Sequence, residues 1–214
     1  MLTAVRRRLS LWIERAVIEM AERRDLHGIV VAVIPSKTTD AENLFTRIDA
    51  ALQLLGRAQA RRLKQARRHF DVILVRRYSL YRAAYAHQLR ACILDSDFVA
   101  DRAVAPQQIA GSIVHETTHA RLEQLGMRYD WSNRGRIERL CRRAELDFGH
   151  HLDDGAAVIA RAAEHLALDD ATLASSPETQ RIQLGKAAER DLGDIYMPAP
   201  VRKFFLWVLR RRAV

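Results

Sequence analysis

The stretch from Ile113 to Leu122 constrains this chain more than any other: it reads Ile-Val-His-Glu-Thr-Thr-His-Ala-Arg-Leu and carries the pattern His-Glu-x-x-His. On a helix, residues four apart share a face, so His115 and His119 can each offer a nitrogen to one tetrahedral Zn²⁺. Glu116 follows the first histidine and projects near such an ion without binding it, where a general base for a water on the metal is needed. The pair asks for a third ligand and an open fourth position. Pro106 suits the first turn of this helix, and Ile109, Ile113, Ala120 and Leu122 supply apolar packing along it.

From His119 the chain runs through Gly126, a helix C-cap, and the loop Met127–Trp131 to a second helix beginning at Ser132 or Asn133, with Glu138 early on it. Eighteen residues, Ala120 to Ile137, separate His119 from Glu138. In this the sequence resembles the gluzincin zinc metallopeptidases, whose His-Glu-x-x-His is followed by a glutamate on the next helix, eighteen residues on in the aminopeptidase-type branch. The match covers about Gln107 to His151, so a compact minigluzincin core is the closer comparison. The resemblance implies Zn²⁺ as cofactor, His115, His119 and Glu138 as its ligands, Glu116 as catalytic base, and a peptide or protein as substrate.

Glu145 is a rival third ligand, seven residues after Glu138 and on roughly the same face. Glu138 is preferred because Cys141, three residues on, is small as the family usually has there, whereas Glu145 has Phe148 at that offset. In many gluzincins an acidic residue four beyond the glutamate ligand buttresses a ligand histidine; here that position is Arg142. His150 and His151 end the second helix, where imidazoles are favoured with or without a metal. Tyr129, Tyr81, Tyr85 and His87 are candidate donors to a tetrahedral oxyanion.

The implied fold class is α+β: a zincin-like core with a small mixed β-sheet, an active-site helix and a following glutamate helix, plus N- and C-terminal helical extensions. The length of 214 residues and the mix of 49% hydrophobic with 29% charged residues fit one globular domain over 1–214. Its expected parts are an N-terminal helix at 1–27, a catalytic core at 28–151 and a C-terminal helical extension at 152–214.

In chain order, Leu2 to Arg24 reads as an amphipathic helix, with Val5, Leu9, Trp12, Ile13 and Val17 on one side and arginines on the other. Gly28–Pro35 is a β-branched strand expected to be buried on both faces. Thr39 or Asp40 caps a long helix running to about Arg67, and Phe70–Arg76 and Arg90–Asp95 are further strands, with Tyr78–His87 unassigned between them. By the resemblance, the strand Arg90–Asp95 lines the substrate groove with a free edge; read without it, the strand is an ordinary inner one. Gly155–Leu168 is another helix, Ala171–Asp191 is polar, and Val201–Arg212 is a basic, aromatic tail after Pro198 and Pro200.

The net charge of +9 lets the surface attract nucleic acid, an anionic membrane or an acidic partner, and no nucleic-acid-binding motif chooses among them. Cys92 and Cys141 occupy core-like positions and make no disulfide framework, which fits a reducing compartment. Leu9–Ile13 is too short for a signal-peptide core and no run reaches the ~20 apolar residues of a membrane span, so the expected location is the cytoplasm. Two functions follow as expectations. One is a zinc-dependent metallopeptidase; the other is a catalytically weak or inactive gluzincin-like regulatory or scaffold protein that binds partners through its arginine-rich surface.

Overall fold

The computed structural model describes residues 18–19, 21–34, 40–78, 80–127, 129–130 and 132–169. Its first two strands form a hairpin. Strand β1 (Glu22–Leu26) pairs antiparallel with β2 (Ile29–Val33) across His27 and Gly28, whose φ values of 54° and 74° make the doubly left-handed turn that matches strand twist. Asp25 Oδ1 accepts from Gly28 N at 2.8 Å, and Arg67 Nε donates to His27 O at 2.5 Å. The expected N-terminal helix therefore does not reach Arg24. Glu22-Arg23-Arg24 brings no apolar stripe to hold a helix, while the turn behind it specifies a hairpin. The rest of that helix, apart from residues 18, 19 and 21, lies outside the described residues, as does the tail at 201–212.

The sheet has five strands in the order β1-β2-β3-β5-β4, with β3 at Val72–Arg76, β4 at Ala83–Ala86 and β5 at Ala91–Asp95. β2, β3 and β5 run parallel, and the two edges, β1 and β4, are antiparallel. The sheet is thus small and mixed, as expected, and of the two readings of Arg90–Asp95 the inner strand holds. β5 has no free edge: β4, from the unassigned segment, pairs with it in the register Ala84↔Ile93 and Tyr85↔Cys92. β2 is buried on both faces except at Val30.

Helix α1 (Ala41–Ala58) starts at Asp40, whose side chain accepts from Glu42 N, so of the two possible caps Asp40 acts here and Thr39 lies outside the described residues. The long helix expected to reach Arg67 breaks at Gln59, where φ is −146°, and α2 (Ala60–His69) follows. Packing explains the break. Gly56 lets Leu63 fold back over it, since a Cβ there would stand 3.0 Å from Leu63 Cδ2, and the amide of Gln59 and guanidinium of Arg62 both reach Asp147 at 3.2 and 3.1 Å.

After β5 come α3 (Ser96–Ala100), α4 (Pro106–Gln124), α5 (Arg134–His150) and α6 (Ala156–Leu166). One face of the sheet, with Val31, Val33, Ile73, Val75 and Leu94, packs in a single core with Leu44, Ile48 and Leu55 of α1, Ile109 and Ile113 of α4 and Phe148 of α5. Each such fully buried side chain stabilises the fold by roughly 1.5–3 kcal/mol. The opposite face carries Ala32, Ile34, Val72, Leu74, Ala91 and Ile93. Cys92 and Cys141 are both buried free thiols. No helix among the described residues is long and apolar enough to cross a membrane.

Candidate metal centre

Helix α4 is buried along most of its length, from Ile109 to Thr118 without interruption. Pro106 begins it, and it ends at Gly126, whose φ of +85° allows Gly126 N and Met127 N to bond back to Glu123 O and Leu122 O. The chain then turns on Asp130, whose Oδ1 accepts from Ser132 N, Asn133 N and Ser132 Oγ at 2.7–3.0 Å, and α5 starts. These two local signals bring Glu138 back over the motif helix.

There the side chains converge. His115 Nε2 and His119 Nε2 are 3.2 Å apart; Glu138 Oε2 is 3.4 Å from the first and Glu138 Oε1 is 3.5 Å from the second. A tetrahedral ion with bonds of ~2.0–2.1 Å sets its ligand atoms ~3.3–3.4 Å apart. The donors present, two imidazole nitrogens and a carboxylate at these separations, therefore fit a small divalent cation.

The electrostatics are those of a pocket that wants positive charge. Two facing nitrogens at 3.2 Å cannot both carry a proton, and the ring pair resolves this asymmetrically. Burial disfavours charge on His115, but the carboxylates of Glu138 and Glu145 outweigh it and push its pKa up to about 9. Burial, aided by the charge on His115, pushes His119 down to about 3. Glu138 is opposed by burial yet held well below the usual carboxylate range by His115 and His119.

Glu116 is buried beside this group, and burial raises its pKa to about 7, in the range suited to a general base. Tyr129 donates its hydroxyl to Glu138 Oε1 at 2.8 Å and meets the His119 ring edge-on at 5.4 Å. Of the four oxyanion-donor candidates it is the one against the donor group. His87 Nδ1 lies 2.5 Å from Glu123 Oε1, Tyr85 also bonds Glu123, and Tyr81 packs against Tyr78 at 6.2 Å.

Glu145 sits on the other side of His115. Its carboxylate, almost wholly buried, lies 3.5 Å from His115 Nδ1, accepts from Arg142 Nη1 at 2.6 Å and faces Arg161 Nη1 of α6 at 3.7 Å. The carboxylate next to a candidate ligand histidine is thus three residues after Arg142, and Arg142 pairs with it. Gly111 makes the room: a Cβ there would meet Val158 Cγ1 at 3.2 Å and Glu145 Cγ at 3.6 Å. Arg161 belongs to the stretch expected to be a mere C-terminal extension.

His151 bonds Asp147 O at 2.8 Å on the surface, and His150 is exposed, so neither joins the group. Cys141 does, and sequence reasoning passed over it as a small neighbour: its Sγ and a nitrogen of each histidine all lie within 4.8 Å of one another. Its i+3 spacing from Glu138 was the available signal. No protein-family model, no curated protein and no solved structure matches the chain.

Proposed function

We propose that the chain is a zinc-dependent metallopeptidase of the cytoplasm that hydrolyses peptide bonds in a peptide or protein, with Glu116 as general base. One observation carries this reading: His115 Nε2 and His119 Nε2 stand 3.2 Å apart, the two Glu138 carboxylate oxygens lie 3.4 and 3.5 Å from them in turn, and the buried Glu116 carboxylate is beside them. A bound zinc ion supplies a water of lowered pKa and polarises the scissile carbonyl. Glu116 takes the proton of the attacking water on its carboxylate and delivers it to the leaving amine. Tyr129 supplies an O–H donor at the rim of the group, and Glu145 holds the ring of His115. The outer edge of β4, the last strand of the sheet, offers backbone groups to an extended peptide.

The test combines metal content with hydrolysis of an unfolded protein substrate. Purified protein is expected to hold roughly one zinc per chain, kept in Glu116→Gln with hydrolysis abolished, and lost in Glu138→Ala. Hydrolysis that survives Glu116→Gln would overturn the proposal. The scaffold alternative, a basic surface that binds nucleic acid or an anionic membrane, predicts instead that surface arginine substitutions remove the biological effect and Glu116→Gln does not.

A further inference from the structure

Cys141 lies three residues after Glu138 on α5, fully buried, with its sulfur in the same 4.8 Å group as the two histidine nitrogens. Cys92, the chain's other cysteine, is equally buried but belongs to no such group among the described residues. A thiolate is a soft donor, whereas the carboxylate of Glu138 is a hard one, so the two compete for an ion according to its softness. We propose that Cys141 is a further donor of this metal centre, recruited by soft, thiophilic divalent cations. The centre then becomes a three-donor set of His115, His119 and Cys141, in which sulfur replaces the Glu138 carboxylate. The step is a ligand exchange without redox change: the S–H bond breaks, a sulfur–metal bond forms, and the proton passes to buffer.

This rests on the metal-centre reading of His115 and His119 and adds a consequence for regulation. A thiophilic ion held through sulfur would occupy the two histidines that zinc needs, so it would displace zinc and inhibit.

Cd²⁺ is the probe. Titrating it into the full chain is expected to raise an ultraviolet sulfur-to-cadmium charge-transfer band saturating at one ion per chain, and to release one proton more than the same titration of Cys141→Ser. The band should vanish in Cys141→Ser and persist in Cys92→Ser. Cys141→Ser should weaken Cd²⁺ at least roughly tenfold, the low end of what changes around a metal cost, and Zn²⁺ by less. Cd²⁺ uptake with no charge-transfer band, or a band that survives in Cys141→Ser, overturns the inference while leaving the zinc reading intact. A wild-type chain that takes up neither Cd²⁺ nor Zn²⁺ overturns both. Circular dichroism of Cys141→Ser, matched to wild type, ties a lost band to the sulfur and not to unfolding; if that variant does not fold, methylation of Cys141 in the Cys92→Ser background replaces it and must abolish the band.

Discussion

Glu145 shows how much one buried carboxylate can organise. It faces His115 Nδ1 and is flanked by Arg142 and Arg161, so it is held well below the usual carboxylate range despite burial. Glu145→Gln keeps the shape and removes the charge. It should leave two guanidinium groups uncompensated, costing about 3–5 kcal/mol in urea unfolding of the metal-free protein, and weaken metal binding by roughly 10–100-fold. Unchanged metal affinity would show that Glu145 does not support the site. The histidines add a pH dependence. His115, raised from 6.5 to about 9, stabilises the metal-free fold below pH 6.5, and that stability is lost as pH rises to about 9. Below 6.5, His119, lowered to about 3, adds stability with rising pH, while Glu116, raised to about 7, removes it between 4.5 and 7, so the two oppose each other. Chelator-treated protein should thus be less stable to urea at pH 9 than at pH 6.5. Metal uptake has the opposite sign: the proton on His115 must leave, so apparent affinity climbs about tenfold per pH unit up to about 9. The convergence of His115, His119 and Glu138 was legible as spacing along one helix and a count to the next. The setting of Glu145 was not, because Gly111 and Arg161 act on it from two other helices.

Among the elements, the motif helix and its two successors were legible because each has a local stop or start: Gly126, the Asp130 turn and Gly155. Gly155 also sets the packing. Gly155 stands where a Cβ would come within 1.9 Å of Gly149 O, a backbone atom that cannot rotate away. Gly155→Ala should therefore destabilise by about 1–3 kcal/mol, read as a lower urea midpoint, and loosen the seat of Arg161. A midpoint equal to wild type would mean that α5 and α6 can part without cost. The short elements were not legible. β1 is polar and β4 is mostly alanine, so neither shows the apolar alternation of a strand; both are edge strands whose conformation is imposed by the neighbour they bond to. The break at Gln59 likewise carries no Pro or Gly of its own and comes from Leu63 packing on Gly56 and from Asp147 on a distant helix.

For the whole molecule, a metal joined to α4 and α5 would couple binding to folding, since the unfolded chain does not hold these side chains together. Zn²⁺ at 100 times its dissociation constant should add about 2.7 kcal/mol to unfolding, in wild type and in Glu116→Gln alike, and nothing in Glu138→Ala. Equal stabilisation of all three would place the ion elsewhere. The sequence by itself determined the strands β2, β3 and β5, the motif helix and the helix after it, the helical pairing of His115 with His119 and the place of Glu138 early on the next helix, because these depend on caps, turns and periodicity within a few dozen residues. Only the tertiary structure decided that β5 is an inner strand, that Glu138 and not Glu145 meets both Nε2 atoms, that Tyr129 and Cys141 belong to the group, and that Arg161 reaches it from α6. Those outcomes depend on which faces meet when α4, α5, α6 and the sheet edge pack together, and such contacts across distant segments leave no periodic trace in the chain.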